Sequence, residues 1–295
     1  MEWEGKMCIV SGSYQSIDSP SPRTVVELWC RAEEGHSVLL LVHGLRPYFD
    51  IAVRGAPDHE YVPDLESVRE ITEVMEVSEP VMKWTRHGVK RHWRVYADQP
   101  YSVRRLRKKL EDWEVTSADI PFQNRLMLDL DLGPHINARG EVLWAGERAP
   151  DAVKNSSNTD PSSVEETVVK EGGSGIYPVD MILSCNLQGL SRTDPFPAPF
   201  VTFSFDLETS IATNRILCAA AVIDRGGERS EHQFRGEERE IMEGLTTLVR
   251  EQDPDFVTGY NSIISTFQEW RRGPRQSPQG RSIACLLYTS DAADE

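Results

Sequence analysis

The stretch VTFSFDLETS, residues 201–210, decides how the chain is read: a strand-like run that ends by setting Asp206 and Glu208 two positions apart. Successive side chains of a strand point to opposite faces, so residues i and i+2 share one. On a buried strand, two like charges within a few ångströms are costly unless something positive lies between them. A divalent cation is the usual answer. The expectation is therefore a buried strand carrying a metal site at its end, with Asp206 and Glu208 as ligands. The plainer alternative is a pair of carboxylates that caps or ion-pairs a loop.

Working outward, the second half alternates strand and helix. PVDMILSCNL (178–187) reads as a strand, DPFPAPF (194–200) as a Pro-rich turn, and RILCAAAVID (215–224) as a strand following the DxE run. GEEREIMEGLTTLVREQDPDFV (236–257) carries Ile241, Leu245, Leu248 and Val249 on one helical face and should stop before Pro254. DFVTGYN (255–261) is a third strand after the Pro-rich turn. Strand, strand, helix, strand indicates an α/β domain with a mixed sheet.

The first 145 residues read as short strands with one or two helices. TVVELWCRA (24–32) and HSVLLLVHG (36–44), separated by the turn-like EEGH, suggest a hairpin. PDLESVREITEVME (63–76) places Leu65, Val68, Ile71 and Val74 or Met75 at helical spacing. HWRVYADQP (92–100) is a strand, and SVRRLRKKLEDW (102–113) is an amphipathic helix with Ser102 as N-cap and an apolar face of Val103, Leu106 and Leu110. Residues 146–176 are rich in Ser, Asn, Asp, Pro and Gly and poor in large apolar residues, the composition of a linker.

Size and composition narrow the function classes. At 295 residues with 39% hydrophobic and 27% charged content, the chain can bury two cores. The longest apolar run, SVLLLVHGL at 37–45, is far short of the ~20 residues of a membrane span. The acidic start MEWEGKMCIV lacks the plan of a signal peptide. Five scattered cysteines with no CxxC pair argue against a zinc site and a disulfide framework, so a cytoplasmic location without membrane partners is expected. The histidines show no ligand spacing. A net charge of −15 hides one strongly basic region: from Lys83 to Lys109 there are ten Lys and Arg against one acid, Asp98. Interleaved with Trp84, Trp93 and Tyr96, these cations suit single-stranded nucleic acid, and Lys90, Arg91, Arg94, Arg104, Arg105 and Lys108 are the candidate contacts. A solvated strand and helix face is the alternative.

Beyond these local readings, an ordered series of segments resembles one family. FSFDLETS (203–210) followed some fifty residues later by DPDFVTGYNS (253–262) is similar to the first exonuclease motif and the front of the second in archaeal-type family B DNA polymerases. LRPYFDIAV (45–53), WRVYADQPYSVRRLRKKL (93–110) and WEVTSADIPFQNRLMLDLDLG (113–133) resemble their amino-terminal domain in the same order. The resemblance runs from about residue 24 to residue 262. It implies an α/β (α+β) protein: a β-rich polymerase amino-terminal domain over 1–145, the linker at 146–176, and a partial ribonuclease H-like 3′-5′ exonuclease domain with a mixed sheet over 177–262.

The resemblance further implies a proofreading exonuclease in which Asp206 and Glu208 are catalytic and hold two Mg²⁺ or Mn²⁺ ions. Tyr260 and Asn261 then fall where the primer 3′ end is positioned. DNA is the implied partner, with dNTPs and a sliding clamp for an intact polymerase. Pro47 and Tyr48 match a segment that lines a template-uracil pocket in archaeal relatives, but His92 stands where that pocket has a small apolar residue, which argues against uracil sensing here.

After GYNS the family pattern breaks. A Phe-Asp whose Asp is an essential metal-site carboxylate is expected, yet the chain reads IISTFQEWRRGPRQSPQGRSIA (263–284). Joining the last base of each codon to the first two of the next, from Ile263 onward, permits Asn-Phe-Asp-Leu-Pro-Arg-Met-Ala, which restores the motif. Residues 263–284 are thus expected to be out of frame. Because Asp requires a Ser265 codon ending in G, any other codon there defeats this reading. The last eleven residues, CLLYTSDAADE (285–295), resemble the translation of a transposon-derived sequencing adapter, so the chain is expected to derive from environmental DNA. A fragment inactive by itself follows. Two other classes remain: a stand-alone DEDD-type 3′-5′ exonuclease, and a non-catalytic single-stranded nucleic-acid-binding module.

Overall fold

A computed structural model describes residues 1–17, 23–53, 74–77, 81–110, 113–146, 148–150, 179–213 and 215–259. The chain divides into two compact units, Met1–Phe196 and Pro197–Glu295. The architecture is a β-rich mixture of strand and helix with mixed sheets, as expected from the sequence.

The first unit is built on a closed ring of strands. β1 (Glu2–Ile17), β2 (Arg23–Ala32) and β3 (Ser37–His43) form an antiparallel meander, with the hairpin of β2 and β3 as anticipated. The described residues between 44 and 134 then leave the ring before β9 (His135–Ala145) and β10 (Met181–Asn186) complete it. β10 runs parallel to β3 and antiparallel to β9, while the first half of β1 turns back to pair with β9. The long β1 serves both neighbours by bending at a bulge between Ile9 and Ser11. A ring of order β1-β2-β3-β10-β9 in which β3 and β10, its third and fifth strands in chain order, are parallel has the topology of an OB-type barrel. Alternation puts Val26, Leu28, Cys30, Leu40, Val42, Ile136 and Leu183 inside, and Phe122 and Leu126 of a short helix join that core. At the closure, a Cβ on Gly140 would lie 2.6 Å from the Ser184 carbonyl oxygen, so only glycine lets β9 approach β10 there. β11 (Leu190–Arg192) adds to the outer edge of β9.

The segment between β3 and β9 makes a second sheet of β4 (Tyr48–Ala52), β5 (Val74–Val77), β6 (Val81–Thr85), β7 (Gly88–Ala97) and β8 (Val115–Thr116), with β7 central. α1 (Pro100–Lys109) packs Val103, Leu106 and Leu110 onto Phe49, Ile51, Val95 and Ala97 of that sheet, and α2 (Phe122–Asp129) follows β8. Two local expectations are corrected. Ser102 is buried inside α1, whose N-cap is Gln99, because Pro100 with its preset φ starts the helix three residues earlier. Val74, Met75 and Glu76, expected on a helix, lie in β5, paired to β7; residues 63–73 of that expected helix and nearly all of the 146–176 linker lie outside the described residues.

The second unit is a four-stranded mixed sheet of order β14-β13-β12-β15, formed by β12 (Val201–Thr209), β13 (Ile216–Arg225), β14 (Glu228–Arg235) and β15 (Phe256–Thr258). β15 is parallel to β12, held at its start by paired bonds between Asp255 and Val201. α3 (Glu238–Gln252) begins with a reciprocal capping box between Glu237 and Glu240 and ends at Asp253 in the left-handed region. Its Ile241, Leu245, Leu248 and Val249 cover Val201, Phe203, Phe205 and their neighbours on one face of the sheet. The strand at 181–186, expected to open the second domain, belongs to the barrel because β3 and β9 supply both its neighbours; the division falls at Phe196/Pro197 instead of 176/177.

Candidate active site and nucleic-acid contacts

β12 presents its odd-numbered residues to α3, so Thr202, Ser204, Asp206 and Glu208 face the other way. The sharing of one face by Asp206 and Glu208 is as the spacing required. Their burial is not: both are exposed, because among the described residues no layer covers that side of the sheet. The electrostatic argument that a buried pair demands a cation therefore does not apply to these two carboxylates, which stay hydrated. Asp206 Oδ1 accepts the N–H of Leu207 at 3.0 Å, which orients its carboxylate locally.

Cross-strand register defines the surroundings. Asp206 stands opposite Ala220, Ser204 between Val222 and Thr258, and Glu208 opposite Cys218. Small and medium side chains next to Asp206 leave a shallow concavity of about 370 Å³, lined by Ser204, Asp206, Ala220, Val222, Thr258 and Gly259. Sequence inspection missed Ser204, Ala220 and Thr258. The signal for Ser204 was the same i, i+2 alternation that linked the carboxylates. Oxygen donors suit a hard divalent cation, and one or two protein carboxylates completed by water and substrate phosphate are enough for Mg²⁺. Among the described residues no three His, Cys, Asp or Glu side chains cluster closely enough to form a metal site by themselves. Tyr260 and Asn261 lie outside the described residues.

The basic candidates fall into two groups. Arg94 donates to Asp50 Oδ1 at 3.0 Å and stacks on Tyr48, and Lys90 pairs with Glu114 at 3.2 Å. Asp50 is fully buried, and Lys83 is its second cationic partner. Those charges serve the fold. Arg105 lies over the Tyr101 ring and donates to Ser102, and Arg91 faces away from Asp50 on the other side of β7. Arg104 and Lys108 are exposed on α1. With Arg107, Ala118 and Asp119 they line a second concavity of about 370 Å³.

Pro47 and Tyr48 sit at the start of β4. The Pro47 carbonyl accepts the Ala97 N–H, and the Tyr48 hydroxyl donates to Asp129 at 2.6 Å. Arg94 and Arg125 both lie 3.8 Å from the Tyr48 ring centroid. Burial, with the Asp129 hydrogen bond, raises the Tyr48 hydroxyl above its ordinary pKa. His92, on the neighbouring strand, is fully buried. The Tyr48 ring is thus filled on its faces by the chain's own cations.

The fold of a barrel with an inserted sheet followed by a mixed sheet is matched by a solved structure. The structure of the family B DNA polymerase from the hyperthermophilic archaeon Pyrobaculum calidifontis matches 89% of this chain and 31% of its own, with a TM-score of 0.61 and 19% sequence identity. The DNA polymerase of Archaeoglobus fulgidus is 22% identical over 256 residues, which cover 86% of this chain and 28% of that protein. The resemblance to archaeal-type family B DNA polymerases is borne out in fold and in sequence, and the chain spans less than a third of the length of these relatives. No family model matches the chain. No helix among the described residues is long and apolar enough to cross a membrane.

Proposed function

We propose that the chain is the amino-terminal and exonuclease-bearing portion of a DNA-directed DNA polymerase, and that Asp206 and Glu208 belong to a 3′-5′ proofreading site. The observation that carries this is the placement of both carboxylates on the open face of β12, with Asp206 lining a concavity, in a fold similar to that of a family B DNA polymerase. Divalent cations held by Asp206 and Glu208 would supply Lewis-acid polarisation of the scissile phosphate and of the attacking water. The chain's own contribution is to aim two carboxylates from one rigid strand, and to leave an unobstructed face on which a single-stranded 3′ end can lie. Tyr260 and Asn261, which follow Gly259 in the sequence, would position that end.

In this reading the intact protein extends primer-template DNA with dNTPs through segments beyond this chain, and edits mismatched ends at the site begun here. The 295-residue chain itself neither polymerises nor cleaves. Two carboxylates are half of the family's set, and the Asp expected after residue 262 is replaced by Ile-Ile-Ser-Thr-Phe. The test is incubation of the purified chain with 3′-labelled single-stranded DNA and Mg²⁺ or Mn²⁺. No release of label is expected. Release that disappears in Asp206→Ala would show the site complete and overturn the proposed inactivity; release unaffected by Asp206→Ala and Glu208→Ala would overturn the site assignment.

A further inference from the structure

Barrels of the first unit's topology take oligonucleotides over their second and third strands. Here that face is largely covered: Val25, Leu39, Leu41 and the carboxylate of Glu27 are buried, and Trp29 is half-buried against them. Positive charge lies instead on the inserted sheet. Of the ten Lys and Arg between residues 83 and 109, Lys83 and Arg94 are held by Asp50, and Lys90 by Glu114. The side chains of Arg104, Arg107 and Lys108 are exposed and make no ion pair or hydrogen bond with a described residue, although they gather around one concavity. Three cations against the single carboxylate of Asp119 around a depression, in a chain of net charge −15, mark a place for an external polyanion.

Strand register adds an aromatic group on the same side. α1 covers the sheet face that carries Phe49, Ile51, Val95 and Ala97. By alternation Val89 and Arg91 of β7 belong to that face, and the pairs Trp84–Val89 and Met82–Arg91 bring Trp84 and Met82 to it. Trp84 is 87% exposed, and Met82 and Val89 are exposed beside it. A bare indole beyond the end of a covered apolar face adds nothing to the core. It is a platform on which an unpaired base can stack.

We propose that this face binds single-stranded nucleic acid, with phosphates seated on Arg104, Arg107 and Lys108 and a base stacked on Trp84. Duplex presents no free base face to a ring, so the pairing of ring and cations selects the single strand. No residue of the second unit takes part, and the inference stands apart from the exonuclease reading.

The test is fluorescence anisotropy of a labelled oligothymidylate of roughly 16 nucleotides with the full chain in EDTA, which silences any nuclease, over a salt titration. Neutralising Arg104, Arg107 and Lys108 together to Gln is expected to weaken binding and to make the log-log salt slope shallower by about 2, at ~0.7 per phosphate contact on a single strand. Trp84→Ala is expected to lose roughly 5- to 150-fold in affinity with the salt slope unchanged, and Trp84→Phe to recover part of it. Wild-type affinity and slope in the triple variant, no loss in Trp84→Ala, or a blunt duplex of the same length binding as tightly would each overturn the proposal.

Discussion

The two units handle carboxylates in opposite ways. Asp50, central to the inserted sheet, is fully buried between Lys83 and Arg94, and its charge is answered entirely from within the chain. Asp206 and Glu208 stand in the open on β12 with no cation among the described residues paired to either. Exposed like charges repel weakly, by about 1 kcal/mol at 4 Å in water, so the second unit tolerates them without a metal. A buried carboxylate has no such freedom. The contrast separates folding from function: the first unit needs its counter-charges in order to fold, whereas the second can fold first and acquire a cation afterwards.

The sharpest way to break this comparison is Asp50→Ala. Removing the carboxylate leaves two partly buried cations unanswered, and a loss of about 3–5 kcal/mol is expected from denaturant unfolding. Adding Lys83→Met and Arg94→Met should restore much of it, since replacing a whole buried ion group by apolar side chains is often near neutral. If Asp50→Ala alone costs less than about 1 kcal/mol, the charge pairing is a surface feature and the contrast fails.

A smaller effect comes from the barrel's thiols. Burial pushes the Cys185 thiol from 9.0 up to about 12, and burial together with neighbouring Cys8 and Cys185 raises Cys30 as well. The unfolded chain releases these protons near 9 while the native barrel retains them. Stability present below pH 9 is therefore lost progressively as the pH rises towards 12. Unfolding midpoints measured on both sides of pH 9 should show that decline, with a shallower slope in Cys185→Ala. An equal slope in the variant would mean that Cys185 is not the group responsible.

Much of this was legible in the sequence wherever the pattern is local. Helical spacing found the buried face of α3 residue by residue and that of α1 apart from Ser102, and period-two alternation put Asp206 and Glu208 on one side of one strand. What stayed hidden depends on partners distant in sequence. β14, ERSEHQFR, has no apolar alternation because it is an edge strand exposed along most of its length. The barrel closes by pairing Glu2–Cys8 with residues some 130 positions later, and β10 joins it from beyond the linker, so neither the ring nor its boundary can be seen in any window of sequence. The burial of the carboxylate pair failed for the same reason: whether a strand face is covered is decided by another layer, not by the strand. Lys90 and Arg94 looked free because Asp50 and Glu114, which engage them, arrive through β4 and the segment before β8.

The smallest expected effect on stability is the most informative about the site. Asp206→Ala and Glu208→Ala should each change unfolding free energy by no more than about 0.5 kcal/mol, since both side chains are exposed and neither contributes to a buried network. Cys218 offers a local reporter, because it stands opposite Glu208 on the same open face and is only half-buried, whereas Cys8, Cys30 and Cys185 are buried. A thiol reagent should therefore modify Cys218 before the three barrel cysteines. If Glu208 takes part in holding a cation, Mn²⁺ should slow modification at Cys218 in the wild type and leave it unchanged in Glu208→Ala. Protection that persists without Glu208 would place the cation elsewhere. Absence of protection in both, with stability unchanged, would mean that the two carboxylates hold a cation only when further acids or a bound nucleotide phosphate complete the site.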